Sequence, residues 1–276
     1  MFEVKREPSA LPHIIIAIRP VRWRLLLSAP LEGPANMALD HALMARARQT
    51  GEAVLRVYGW AAPVLSLGRN QRAVGVYDDA ELLRRGIAVV RRPTGGRALL
   101  HHREITYSVT APSESAAGLS DTYEQINSLL VSALARLGVD ASIARPATQA
   151  ARPDGQPCFA EPARGEIVVG RRKLVGSAQW RDGEAFLQHG SIIVEDDQSL
   201  IPALMRSPAD QPPPPATLSH LLGRTPSAVE VAGALFATVR ATWDSSATEL
   251  AERDVHLSEL PDLIEHYCDA EWTWRR

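Results

Sequence analysis

Hydrophobic and polar positions follow two rhythms along this chain. Short runs rich in β-branched and aromatic residues predict strands over 23–28, 54–58, 64–68, 87–92, 105–110, 139–144, 166–169, 174–179 and 185–194. Between them, apolar residues recur at three- and four-residue spacing and predict helices. One starts after Pro34, with Asn36 as the expected N-cap and Met37, Leu39, Leu43 and Met44 on its apolar face. A short helix over 78–85 stops at Gly86, and a long amphipathic one over 122–137 stops at Gly138. Two more lie over 228–243 and 257–267. Gly59-Trp60-Ala61-Ala62-Pro63 turns the chain between two strands, and Gly170-Arg171-Arg172 closes a hairpin. Strands and helices are interspersed without a regular βαβ repeat, so the fold class is α+β or an irregular α/β.

Composition narrows this little. The chain has 276 residues and 45% hydrophobic content, enough for a sizeable core in one large domain or two small ones. The connector Gln211-Pro212-Pro213-Pro214-Pro215 marks a break. The expected division is an extension over 1–21, a main domain over 22–210, and helices over 211–276 packing on that same domain. The formal net charge of −2 gives no general attraction to nucleic acid or membrane. Arginines are scattered along the sequence, as a coding bias would scatter them, rather than forming a binding patch. The apolar run 11–18 follows Lys5 and Arg6, but it is short, is followed by Arg19, Arg22 and Arg24, and lacks a small-residue cleavage site. It reads as an extension, not a signal peptide. No stretch is long enough to span a bilayer. Two distant cysteines, Cys158 and Cys268, make no disulfide framework and fit a reducing, cytoplasmic location.

Candidate chemistry centres on Cys158, in the loop Arg152-Pro153-Asp154-Gly155-Gln156-Pro157-Cys158-Phe159. A thiolate is a nucleophile, and nearby cations lower its pKa. The competing reading is a small buried hydrophobe. Upstream, Gly95-Gly96 after a strand would let backbone amides approach a ligand. It is neither a Walker loop nor a dinucleotide fingerprint. His101 and His102 lack a second ligand pair at useful spacing, so no metal is expected. Downstream, Lys173 heads an apolar strand, where its amine needs a partner; the competing reading is a solvated turn lysine. Gln188-His189-Gly190 ends at a glycine that could mark only a bulge. A cysteine peptidase would need a histidine paired with Cys158, which sequence cannot show.

The order of these motifs resembles a known family. Asn36-Met37-Ala38-Leu39-Asp40, Leu65-Ser66-Leu67-Gly68, Arg91-Arg92-Pro93-Thr94-Gly95-Gly96-Arg97-Ala98, Gly170-Arg171-Arg172-Lys173-Leu174-Val175-Gly176-Ser177-Ala178-Gln179 and Leu187-Gln188-His189-Gly190-Ser191-Ile192 are similar to the biotin/lipoate protein ligase catalytic domain. The resemblance covers about residues 22–200 and continues weakly to Glu271-Trp272. Pro157-Cys158-Phe159 and Thr94-Gly95-Gly96-Arg97 most resemble the LipM-type octanoyltransferases of that superfamily.

This resemblance implies a central mixed β-sheet plus a smaller sheet, flanked by helices. It implies an octanoyltransferase that moves octanoyl from acyl carrier protein to a lysine of a lipoyl-accepting protein, such as the glycine-cleavage H protein. Cys158 would carry the acyl thioester, and Lys173 would bind its carbonyl and take part in proton transfer. Arg92, Thr94, Gly95, Gly96, Arg97, His101, Gly176, Ser177, Gln179, His189 and Gly190 would bind substrate. Neither ATP nor metal is implied as cofactor, and neither nucleic acid nor membrane as partner. Arg97 stands where ATP-dependent lipoate ligases have a third glycine, which argues against a ligase. His102 stands where they have an acidic residue, and its role stays open. The alternatives are an ATP-dependent ligase using Lys173 on an acyl-adenylate, an amidotransferase drawing octanoyl from H protein, and a catalytically inactive lipoyl-domain binding module.

Overall fold

The computed structural model describes residues 21–113, 118–144, 165–207, 211–255 and 257–276. Most of the expected N-terminal extension, and Cys158 with its loop, lie outside the described residues. The chain runs β1 (Trp23–Leu27), α1 (Gly33–Thr50), β2 (Ala53–Tyr58), β3 (Val64–Leu67), α2 (Asp79–Arg84), β4 (Ala88–Arg91), β5 (Leu99–His101), β6 (Glu104–Pro112) and α3 (Leu119–Arg136). It continues through β7 (Ser142–Ile143), β8 (Ile167–Val169), β9 (Arg172–Asp182), β10 (Ala185–Ile193), α4 (Leu218–Leu222), α5 (Ala228–Thr242), β11 (Thr248–Glu249), α6 (Leu260–Cys268) and α7 (Ala270–Thr273). Eight strands form one mixed sheet in the order β11-β1-β2-β6-β10-β9-β8-β7, and β4-β3-β5 form a smaller one. This is the α+β architecture expected from the resemblance.

Side-chain alternation along the central strands decides what each face of the large sheet can do. Ala53, Leu55 and Val57 of β2, and Ile105, Tyr107, Val109 and Ala111 of β6, join one core with Ile126, Leu130 and Leu134 of α3 and Val231, Leu235 and Val239 of α5. The intervening positions turn to α1. There β2 presents Val54, Arg56 and Tyr58, and β6 presents Glu104, Thr106, Ser108 and Thr110, all of them buried. One face is therefore a conventional apolar core, and the other holds an unusual density of buried polar groups. The small sheet packs through Leu65, Leu67 and Leu100 on Tyr77, Leu82 and Leu204.

Several local expectations are corrected. Asn36 is not the N-cap of α1. The helix starts at Gly33 with Pro34 in its first turn, and Asn36 lies inside it, donating its amide to the carbonyls of Leu31 and Gly59 at 3.1 Å each. The runs over 54–58 and 64–68 form strands as expected, β2 in the large sheet and β3 in the small one. The strand expected over 139–144 is reduced to the two residues of β7. The hairpin around Gly170 forms as expected, with Val169 opposite Arg172 and Gly170 at φ 61. No helix among the described residues is long and apolar enough to cross a membrane.

Candidate active site

The polar face of the large sheet meets the small sheet around a pocket. Met37 of α1, Tyr58 of β2, Trp60, Leu99 and His101 line it, together with Thr106 of β6, Gly176, Ser177 and Ala178 of β9, and His189, Gly190 and Ser191 of β10. Arg92, Gly96 and Glu166 complete the lining. Of these only Gly96, Ser177 and Ala178 reach solvent appreciably, so the pocket opens where the glycine turn faces β9.

Glycine is required where main chains approach most closely. A Cβ on Gly68 would lie 1.9 Å from the carbonyl oxygen of Gly96, and one on Gly190 would lie 2.5 Å from that of Gly176. Gly96 itself adopts φ +98, a conformation side chains disfavour. Arg92 clamps the turn from inside. Its guanidinium donates to the carbonyls of Ser66 (2.9 Å), Gly95 (2.8 Å) and Arg97 (2.7 Å). Arginine's planar fork suits such a multidentate hold.

Behind the pocket lies a buried network that sequence reading did not foresee. Asp40, fully buried on α1, accepts hydrogen bonds from Arg56 (2.8 Å), Tyr58 (2.8 Å) and Ser108 (2.7 Å). His189 Nδ1 approaches it at 3.3 Å, and His189 Nε2 meets the Thr94 hydroxyl at 2.6 Å. Burial alone would raise the Asp40 pKa; the Arg56 charge, with the contacts from His189 and Ser108, outweighs burial and holds it below the usual carboxylate value. An ionised Asp40 favours a proton on His189 Nδ1, and the other ring nitrogen shares a hydrogen bond with Thr94. Helix α1 is thereby tied to the glycine turn through one imidazole. Sequence carried a signal for this: Arg56 interrupts an otherwise apolar strand, where a charge needs a partner.

A second polar cluster lines another side. His101 stacks on Trp60 with centroids 3.9 Å apart, and its Nδ1 lies 2.8 Å from Glu104 Oε1. Burial lowers the His101 pKa. His102 points the other way, exposed, with Asp197 3.8 Å from its ring. Among the described residues no group of three or more His, Cys, Asp and Glu is placed to hold a metal.

Lys173 is no solvated turn lysine. Its side chain is 1% exposed, and Nζ lies 2.6 Å from Oε1 of Glu166, itself a pocket-lining residue. Sequence reading anticipated that the amine needed a partner but not which one. Gln179 sits one step back: its amide meets that of Gln188 at 2.8 Å, and Gln188 donates to Tyr107, whose hydroxyl lies 2.7 Å from Ser177 Oγ. Of the residues expected to bind substrate, Arg92, Gly96, His101, Gly176, Ser177, His189 and Gly190 line the pocket. Thr94, Gly95, Arg97 and Gln179 adjoin it without lining it.

Comparison with known proteins agrees with this geometry. A family model described as the lipoyl protein ligase A/B catalytic domain matches residues 32–240. An octanoyltransferase LipM of Kyrpidia tusciae is 44% identical over 198 residues, spanning 68% of this chain and 72% of that protein. An octanoyltransferase LipM of Symbiobacterium thermophilum is 36% identical over 271 residues, spanning 92% and 98%. A crystal structure of lipoate-protein ligase A bound with ATP shares the fold, with a TM-score of 0.75 at 23% identity over 92% of this chain and 99% of that one. The chain belongs to the lipoyl protein ligase A/B catalytic-domain family, with the LipM octanoyltransferases among its relatives, and is an acyltransferase.

Proposed function

We propose that this chain moves octanoyl from octanoyl-acyl carrier protein to a lysine of a lipoyl-accepting protein, such as the glycine-cleavage H protein, through a thioester on Cys158. The observation that carries the reading is the buried Lys173–Glu166 pair, whose Glu166 lines a narrow pocket that also presents Met37, Trp60, Leu99, Ala178 and three glycines. Such walls suit an alkyl chain, and a dry ammonium is a strong donor to an acyl oxygen.

The reaction has two halves. The Cys158 thiolate attacks the carbonyl carbon of the donor thioester, and the bond to the carrier sulfur breaks. The carrier leaves as a thiolate that takes up a proton. One thioester replaces another, so no nucleotide or metal is required. The neutral amine of the acceptor lysine then attacks the new thioester. The C–N bond forms, the bond to Cys158 breaks, and the amine proton passes to the departing sulfur or through the Lys173–Glu166 pair. Lys173 Nζ holds the developing oxyanion in both halves.

Intact-protein mass measurement tests the energy source. Octanoyl carrier protein alone should add one octanoyl group to the chain, and free octanoate with ATP and magnesium should add none. Octanoate-dependent pyrophosphate release would replace the transferase reading with that of a ligase. Lys173→Ala should slow acylation by roughly a hundredfold, the cost of about 3 kcal/mol for a lost oxyanion donor. Removing one member of its buried pair with Glu166 adds a stability loss of about 3–5 kcal/mol. Single-turnover rates taken well below the melting transition separate the two, and an unchanged rate would leave Lys173 a purely structural role.

A further inference from the structure

Arginines that are scattered in sequence converge beside the pocket mouth. The N–H of Arg69 donates to the carbonyl of Thr94 at 2.8 Å, and its guanidinium lies over the Trp180 ring at 5.2 Å. Arg275 lies over Trp272 at 3.9 Å and donates to the Arg69 carbonyl at 2.7 Å. The carbonyl of Arg276 accepts from the amides of Ala73 and Val74 at 2.8 and 3.0 Å, which holds residues 275–276 against the loop that exposes Arg72. Underneath, Arg91 is fully buried and donates to the carbonyls of Thr273, Gly68 and Gln71. Its Nη2 finds no acceptor among the described residues.

These cations lack the partners that arginines have elsewhere in the molecule. Arg84, Arg103, Arg206 and Arg224 each pair with a carboxylate. Among the described residues, no acidic side chain forms an ion pair with Arg69, Arg72, Arg91, Arg275 or Arg276. Burial, then repulsion from Arg275, Arg276 and Arg92, pulls Arg91 down to about 10. Burial, with a smaller repulsion from Arg69, lowers the pKa of both His41 and His266. Uncompensated like charges destabilise the folded chain on their own and produce a positive field that attracts an anionic partner.

We propose that this arginine shelf docks the acidic face of the acyl carrier protein that delivers the octanoyl group. The proposal rests on the transfer reaction above. Its position fits: Gly68, next to Arg69, packs on the Gly96 carbonyl, and Gly96 is one of the residues through which the pocket opens. Charge points to the donor: its arm carries a phosphodiester on an acidic protein, the kind of anionic partner a positive field attracts. Stacking on the indole rings of Trp180 and Trp272 restrains the guanidiniums of Arg69 and Arg275 and lowers the entropy lost on docking.

The test uses the full chain with Arg72 and Arg275 changed together, to Glu in one variant and to Gln in another. Octanoyl carrier protein and the uncharged donor octanoyl-N-acetylcysteamine are compared. At low salt, kcat/KM for the carrier should fall by roughly tenfold or more in the Glu pair and by less in the Gln pair. Turnover of the small thioester, and KM for the acceptor protein, should be unchanged. Equal losses with both donors, no loss with either, or a rise only in acceptor KM would overturn the shelf. Fluorescence anisotropy of labelled holo-carrier protein separates this from the reaction itself. Salt-sensitive binding that the Glu pair abolishes supports the shelf even where no octanoyl is transferred, and that result would overturn the transferase reading alone. Absence of carrier binding by the unaltered chain would overturn the shelf.

Discussion

Replacing Cys158 with serine should reduce acyl transfer to background and remove the acyl-protein adduct with it. A cysteine thiol has an ordinary pKa of about 8.5 and is lowered further by nearby cations, whereas a serine hydroxyl is inert without a strong base beside it. The substitution changes one atom, so the melting transition should stay in place while the chemistry is lost. Cys268 provides the internal control. It is a free thiol, exposed at the end of α6, and Cys268→Ala should leave transfer and adduct intact. Adduct mass and H-protein octanoylation, measured on both variants with octanoyl carrier protein as donor, give the result. Near-normal turnover by Cys158→Ser would remove the thioester from the mechanism, and loss of the adduct in Cys268→Ala would move it to the other cysteine.

How much of this site could be read from sequence depends on whether a residue acts through its own neighbours or across the fold. The strands carrying Gly176, Ser177, His189 and Gly190 were legible because their alternation and bounding glycines are local. So was the need for a partner at Lys173. That the partner is Glu166 was not, because a bulge between Ile167 and Val168 shifts the register of the hairpin. Asn36 looked like an N-cap because its residue type is favoured there. Pro34 starts the helix earlier, and the Asn36 amide instead ties the chain before α1 to the turn after β2. The arginines looked dispersed because Arg69, Arg91 and Arg275 meet only once α7 lies along β4, where Trp272 Nε1 donates to the Arg91 carbonyl. Side chains that meet only through tertiary packing carry no local periodicity, and here they form most of the second layer around the pocket.

Asp40 should prove the most costly single deletion for stability. It accepts from Arg56, Tyr58 and Ser108 in a site where both members of its ion pair are 0% exposed. Removing one member of a buried pair leaves the other charge dry and unpaired, at a cost of about 3–5 kcal/mol. Asp40→Ala should lose that much in urea unfolding, and Arg56→Met a similar amount. The double variant should lose much less than the sum, because neither charge is then stranded. Losses that simply add would show that the pair is not coupled. The sign of the pH dependence follows from the lowered pKa of Asp40. Its stabilisation is complete above the unfolded value near 3.8 and is lost as pH falls through the lower folded value. The pH dependence of unfolding below 3.8 should therefore weaken in Asp40→Asn. Function should fall with it, since His189 loses the carboxylate that favours its Nδ1 proton and Thr94 loses its hold on the glycine turn. Acylation by Asp40→Asn, measured where the variant is fully folded, should be slower than in the unaltered chain. An unchanged rate would confine Asp40 to holding α1 on the sheet.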